Sequence, residues 1–82
     1  MVTEIKELGR YVVADPRVCH GQLTFRSTRI LVADVLDDVA RGMPWQDIVD
    51  DCWGRVTLDA IGEAVRLARE ALLERELAAT AA

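Results

Sequence analysis

The stretch Arg26-Ser27-Thr28-Arg29-Ile30-Leu31-Val32 divides the chain. Before it the side chains alternate as they do on extended backbone; beyond it apolar residues recur at helical spacing. Immediately upstream, Leu23 and Phe25 alternate with Thr24 and Arg26, and a period of two puts the two sets on opposite faces of a strand. Thr28-Arg29-Ile30 reads as a continuation of that strand past Ser27. Tyr11-Val12-Val13-Ala14 reads as an earlier strand, ended by Asp15-Pro16, because Pro16 has no N–H to donate and restricts the residue before it. His20-Gly21-Gln22 has turn chemistry. Residues 1–9 read as a frayed turn or a short helix ending at Gly9. Two short strands are marginal alone, so a helix or a second chain must cover their apolar side. Their exposed edge is a place for a dimer contact.

Downstream, Val32, Val35, Leu36, Val39 and Ala40 fall on one face of a helix that starts at Val32 or Ala33. Asp34, Asp37 and Asp38 occupy its outer face, Arg41 is placed to pair with Asp37 or Asp38, and Gly42 suits the position that stops the helix. Pro44 fits the first turn of a second helix, in which Trp45, Ile48, Val49 and Cys52 repeat the apolar spacing. Trp53-Gly54-Arg55-Val56 forms the next turn. Thr57 is an N-cap for a third helix running from about Leu58 to the Ala-rich end. That helix carries two apolar stripes: Leu58, Ile61, Val65, Ala68 and Leu72, assigned to the core, and Ala60, Ala64, Leu67 and Ala71 beside it. So wide an apolar surface on so small a domain exceeds what one chain buries, which points the flanking stripe and the C-terminal segment, with Leu73 and Leu77, at a partner.

The resulting fold class is mainly α, with short N-terminal strands followed by a three-helix helix-turn-helix bundle. It forms one domain over 1–82, divided into a strand and turn region at 1–31, a three-helix unit at 32–78 and a frayed end at 79–82. Eighty-two residues suit one domain, and a core of this size supplies only roughly 3–5 kcal/mol, so a partner often completes it. Cys19 and Cys52 are the only cysteines and form no C-x-x-C, which fits a reducing cytosol and two buried small side chains. No apolar run approaches the about eighteen residues needed to span a bilayer, so the expected localisation is cytoplasmic, with no membrane partner.

Charge excludes more than it assigns. The net charge is −4, but residues 9–31 hold Arg10, Arg17, Arg26 and Arg29 against Asp15, a balance of +3. Residues 32–54 hold Arg41 against Asp34, Asp37, Asp38, Asp47, Asp50 and Asp51, a balance of −5. An acidic chain binds nucleic acid weakly through its bulk field, so any DNA contact needs a local arginine face. His20 is the only histidine, and its neighbour Cys19 is badly placed to face it, which leaves no catalytic residue and no enzyme reading. Asp37-Asp38 and Asp50-Asp51 point about 100° apart on a helix and share neither a proton nor a metal. Cys19, His20 and Cys52 lack zinc-ligand spacing, and no glycine-rich phosphate loop is present, so no metal and no cofactor is implied.

Two short helices, a tight turn and a capped third helix follow the helix-turn-helix plan, in which the last helix enters a major groove. Near the start of that helix Thr57, Asp59, Ala60, Glu63 and Arg66 would face bases, two of them acidic. Arg26, Arg29 and Arg55 could contact the phosphate backbone or serve equally well as ion-pair partners for the acidic helices. The DNA-facing set is therefore Arg26, Arg29, Arg55, Thr57 and Arg66. The partner-facing set is Ala60, Ala64, Leu67, Ala71, Leu73 and Leu77.

The chain resembles domain-of-unknown-function family 433 over about residues 11–70. The resembling residues are Asp15-Pro16 with Val18, Gly21, Ser27-Thr28-Arg29-Ile30 with Val32, Gly42-Met43, Ile48 and Val56-Thr57 continuing through Ile61 and Ala64. Thr28-Arg29-Ile30 followed at fixed spacing by Gly42-Met43 is the most specific piece. The resemblance implies a homeodomain-like three-helix domain behind a small strand region. It also implies an antitoxin-like role, in which the chain, as a homodimer, holds a small PIN-like nuclease toxin and represses its own promoter DNA. Three positions depart from the family pattern: Ser27 where Gly is usual, Leu31 where Pro is common, and Cys52-Trp53 where an aromatic-Pro pair stands. The alternatives are a stand-alone helix-turn-helix repressor and a dimerising domain that binds no DNA.

Overall fold

The computed structural model describes residues 4–80, with side chains through Leu77. Three short strands, β1 (Lys6–Glu7), β2 (Val12–Ala14) and β3 (Leu23–Phe25), precede three helices, α1 (Val32–Ala40), α2 (Trp45–Asp51) and α3 (Leu58–Thr80). The strands form an antiparallel sheet in the order β1-β2-β3, with Glu7 opposite Val13 and Val12 opposite Phe25. Alternation gives the sheet two different faces. Val12 and Phe25 join Val32, Val35, Ile48, Val56, Ala60, Ile61 and Ala64 in the core under the helices. Their neighbours Val13 and Thr24, also buried, point to the opposite face.

Several expectations are corrected. The N-terminal segment is no helix ending at Gly9: Lys6–Glu7 pairs with β2, and the hairpin closes with the N–H groups of Leu8 and Gly9 on the Val12 carbonyl at 3.0 and 3.2 Å. Residues 1–3, part of that expected segment, lie outside the described residues. The strand through Phe25 does not continue into Thr28-Arg29-Ile30. Thr28 instead donates its N–H back to the Phe25 carbonyl at 3.0 Å, with Ser27 at a φ of 63°. The Thr28 hydroxyl fixes this turn by donating to the Phe25 carbonyl at 2.7 Å and accepting the Ile30 N–H at 3.0 Å. A threonine that satisfies local backbone groups competes with a strand ladder, and that competition breaks the expected strand. The chain returns to β3 just beyond this turn, where the Ile30 carbonyl accepts the Phe25 N–H at 3.1 Å and Leu31 bridges Thr24. At the other end, α3 runs to Thr80, and residues 81–82 lie outside the described residues.

Both short helices stop in the same way. At the end of α1 the Gly42 N–H reaches the Val39 carbonyl and the Met43 N–H reaches that of Asp38, with Gly42 at a φ of 83°. This paired closure needs a left-handed residue, which glycine supplies without a steric cost. At the end of α2 the N–H groups of Trp53 and Gly54 close onto the carbonyls of Asp50 and Val49, and the left-handed residue is Trp53, at a φ of 53°. Pro44 stands at the N-cap of α2, just before the helix it was expected to open from within. Thr57 caps α3 as expected, its hydroxyl accepting the Ala60 N–H at 3.2 Å.

The face of α3 turned to the core is the second correction of substance. Ala60, Ile61 and Ala64 are buried, whereas Leu58 and Leu72, expected in the core, are 47 % and 68 % exposed. The alanine side of the helix packs inward because small side chains let it lie close to Val12, Phe25 and α1, whose larger residues fill the volume. Ala60 and Ala64 are therefore part of the chain's own core, and Ala64 also lines an apolar groove beside it.

Candidate functional site

A concavity of about 600 Å³ opens on the face of the sheet away from the core. Val13 and Thr24 form part of its wall with Ile5 and Val18, the Arg26–Arg29 turn lines it further, and Arg55 reaches it from the turn between α2 and α3. Three of the five DNA-facing residues expected from the sequence thus meet in one place. They are not equivalent. Arg26 is a stitch for the β1–β2 hairpin: its guanidinium donates to the carbonyls of Arg10 and Gly9 at 2.8 and 3.5 Å and to the Glu7 carboxylate at 3.2 Å. Among the described residues no hydrogen bond or ion pair engages the side chain of Arg29 or Arg55, and both residues are exposed. Asp15 also lines the concavity, but its carboxylate is taken up by the N–H and guanidinium of Arg17 at 2.9 and 3.1 Å. Those hydrogen bonds hold the Asp15 carboxyl below the usual carboxylate range.

Thr57 and Arg66 stand apart from this cluster. The Thr57 hydroxyl is committed to its cap, and Arg66 lies on α3 against Gly62. A Cβ built on Gly62 would lie 3.3 Å from the Arg66 guanidinium and 3.8 Å from the Trp45 ring, so the glycine makes room for both. Glu63, expected near DNA bases, does something else. Its carboxylate accepts the backbone N–H groups of Arg10 and Tyr11 at 2.6 Å each and of Val12 at 3.1 Å, anchoring the hairpin to α3. Gly9 belongs to this anchor, because a Cβ there would come within 2.5 Å of the carboxylate. Sequence reading missed the pairing, since nothing in the spacing of Gly9 and Glu63 links a turn to a helix so far along the chain.

The partner-facing set also divides. Leu67 and Ala71 line an apolar groove of about 140 Å³ with Leu8, Leu23, Leu36 and Ala68, residues that the sequence did not single out for this purpose. Leu73 and Leu77, 44 % and 70 % exposed, lie roughly 130° further round the helix, on a separate face. Trp53 was read only as a turn residue, yet it is 85 % exposed. Burial raises the Cys52 thiol above its ordinary range, with Asp51 and Asp38 adding to the effect, so it stays protonated and a poor nucleophile at neutral pH. Among the described residues no three His, Cys, Asp or Glu side chains gather to hold a metal ion, and no helix is long and apolar enough to cross a membrane.

No curated protein and no solved structure matches the chain. The family model described as "Protein of unknown function (DUF433)" matches residues 12–68, a span that takes in the sheet from β2 onward, the concavity's arginines and the buried part of α3, and the chain belongs to that family.

Proposed function

We propose that this chain is an antitoxin-like regulatory protein, dimeric and without catalytic activity of its own, that holds a small PIN-like nuclease toxin along the outer half of α3. The observation that carries this reading is that α3 outruns its own core. Its last buried residue is Ala64, yet the helix continues to Thr80 and exposes Leu72, Leu73 and Leu77. An unsupported helix of that length is marginal in water, so its stability and its leucines both favour a covering partner. The groove at Leu67 and Ala71 is a second apolar patch, on a different face of the same helix.

The test is tagged co-expression with the adjacent reading frames, mass determination of what co-purifies, and growth of cells expressing that partner alone. The expected result is a stoichiometric small protein that arrests growth without this chain, and that is released by Leu72→Glu with Leu77→Glu. A monodisperse monomer that recovers no protein from its own lysate would end this reading.

A second reading, promoter binding by a homeodomain-like α1-α2-α3 unit, is favoured by Arg55 just before α3 and Arg66 on it, both exposed. It predicts binding to the upstream sequence that weakens steeply with salt. Retention of that binding by Arg55→Glu and by Arg66→Glu would remove it.

A further inference from the structure

We propose that the concavity between the Arg26–Arg29 turn and the α2–α3 turn is a phosphate-binding site, gripped by the guanidinium groups of Arg29 and Arg55. The chain carries −4 overall, and Arg17, Arg26 and Arg41 each have a carboxylate partner, in Asp15, Glu7 and Asp37. Arg29 and Arg55 have none among the described residues, and they line the same hollow from two separate loops. Two unneutralised guanidiniums lining one hollow concentrate positive charge there in an acidic protein, and a bound anion offsets it. Their planar forks match phosphate oxygens in pairs.

The hollow suits such a ligand in other respects. A volume of about 600 Å³ accommodates a phosphorylated small molecule or a length of phosphodiester backbone. Part of its wall, at Ile5, Val13 and Val18, is apolar, and Ser27 lines it as well. The one acidic residue that lines it, Asp15, is already neutralised by Arg17. Left-handed backbone at non-glycine residues also gathers around it: Ser27 lines the hollow, Cys19 follows its wall residue Val18, and Trp53 precedes Arg55 by two positions. Strain of this kind is retained where geometry is demanded by a site. Among the described residues none of α3 lines the hollow, so the proposal is independent of partner capture on that helix.

The phosphate could belong to nucleic acid or to a free phosphorylated molecule, and two probes separate them. The full chain, ¹⁵N-labelled, is titrated with sodium pyrophosphate, and a fluorescein-labelled duplex from its own upstream sequence is titrated by anisotropy. Arg29→Gln, Arg55→Gln, Asp15→Asn and Arg66→Gln are compared with the unaltered chain. Amide shifts are expected at residues 27–29 and 55, with affinity falling roughly tenfold or more in Arg29→Gln and in Arg55→Gln. Neither side chain has an intramolecular bond to lose, so both variants keep the parent spectrum. Asp15→Asn is expected to bind more tightly, a gain that misfolding cannot produce, and Arg66→Gln to bind pyrophosphate unchanged. Tighter binding of the duplex than of pyrophosphate, with a salt slope of about −2, assigns the phosphate to nucleic acid. Tighter binding of pyrophosphate assigns it to a small molecule. The proposal is overturned if neither probe binds, if the shifts gather elsewhere, or if the two arginine variants bind like the parent.

Discussion

Glu63 gives the sharpest test of how the sheet is held to the helices. Its carboxylate accepts three backbone N–H groups of the β1–β2 turn, two of them partly buried, and Glu63→Ala leaves all three without that acceptor. Bonds to a charged acceptor contribute about 1.5 kcal/mol each when partly buried and less when exposed, so the loss comes to about 3 kcal/mol. A domain of this size holds only roughly 5 kcal/mol in total. The melting temperature should accordingly fall by about 12–24 °C. Gly9 supplies an internal control. Gly9→Ala places a Cβ 2.5 Å from the carboxylate, which must shift, at a cost of about 1–3 kcal/mol. With Glu63 already alanine the space is open, and the same change becomes neutral or stabilising by up to about 1 kcal/mol, because alanine restricts the unfolded chain. Urea denaturation of the four proteins of this cycle measures the coupling directly. A cost below about 0.5 kcal/mol for Glu63→Ala, or the same effect of Gly9→Ala in both backgrounds, would refute the anchor.

Two further outcomes follow from local geometry. Ser27→Gly should stabilise the chain by about 0.5–1 kcal/mol in the same denaturation assay, since the φ of 63° carries a steric penalty that glycine avoids and only part of the gain is returned as unfolded-state entropy. Asp15 should make stability fall at acid pH: its folded carboxyl lies below the ordinary 3.8, through the Arg17 side-chain bond first and the backbone bond second. Its contribution is complete above the unfolded value and is lost as pH falls through the folded one, so Asp15→Asn should flatten the stability curve below about pH 4, as a series of melts across that range would show.

The helices and the sheet illustrate what a sequence makes legible. The bounds of α1, the stop at Gly42 and the cap at Thr57 rest on local chemistry, a left-handed closure and a hydroxyl on a free N–H, and such signals are readable within a few residues. β1 was illegible because its two residues, Lys6 and Glu7, are both exposed and carry no alternation; only pairing with β2 makes them a strand. The inward face of α3 was legible in part: Ile61 and Val65 pack on the core as expected, while Ala60 and Ala64 join them and Leu58 and Leu72 do not. Its two stripes are adjacent and both apolar, and periodicity alone cannot say whether leucine or alanine turns inward. That choice is made by the packing of α3 on β2 and on the other two helices. Of the site, arginine types and positions were readable, but the commitment of Arg26 to Arg10, Gly9 and Glu7 and the freedom of Arg29 and Arg55 depend on where the hairpin folds.

The turn that delivers Arg55 to the concavity depends on Trp53. A proline is held near a φ of −65° and has no N–H, whereas Trp53 sits at 53° and donates to the Asp50 carbonyl at 3.0 Å. The α2–α3 turn of this chain therefore closes through a geometry that proline cannot adopt. Trp53→Pro loses that closure and should cost about 3 kcal/mol. Trp53→Gly keeps it, relieves the left-handed strain and should gain about 1 kcal/mol, because an 85 % exposed ring contributes little packing to offset it. Denaturation midpoints of the two variants decide the point, and amide shifts at Arg55 report whether the turn has moved. If glycine instead destabilises the chain, the Trp53 ring is packed against something, and the exposed position assigned to it here is wrong. If glycine stabilises but partner or phosphate binding is lost, the ring itself makes the contact, and the strain it holds is retained for that contact.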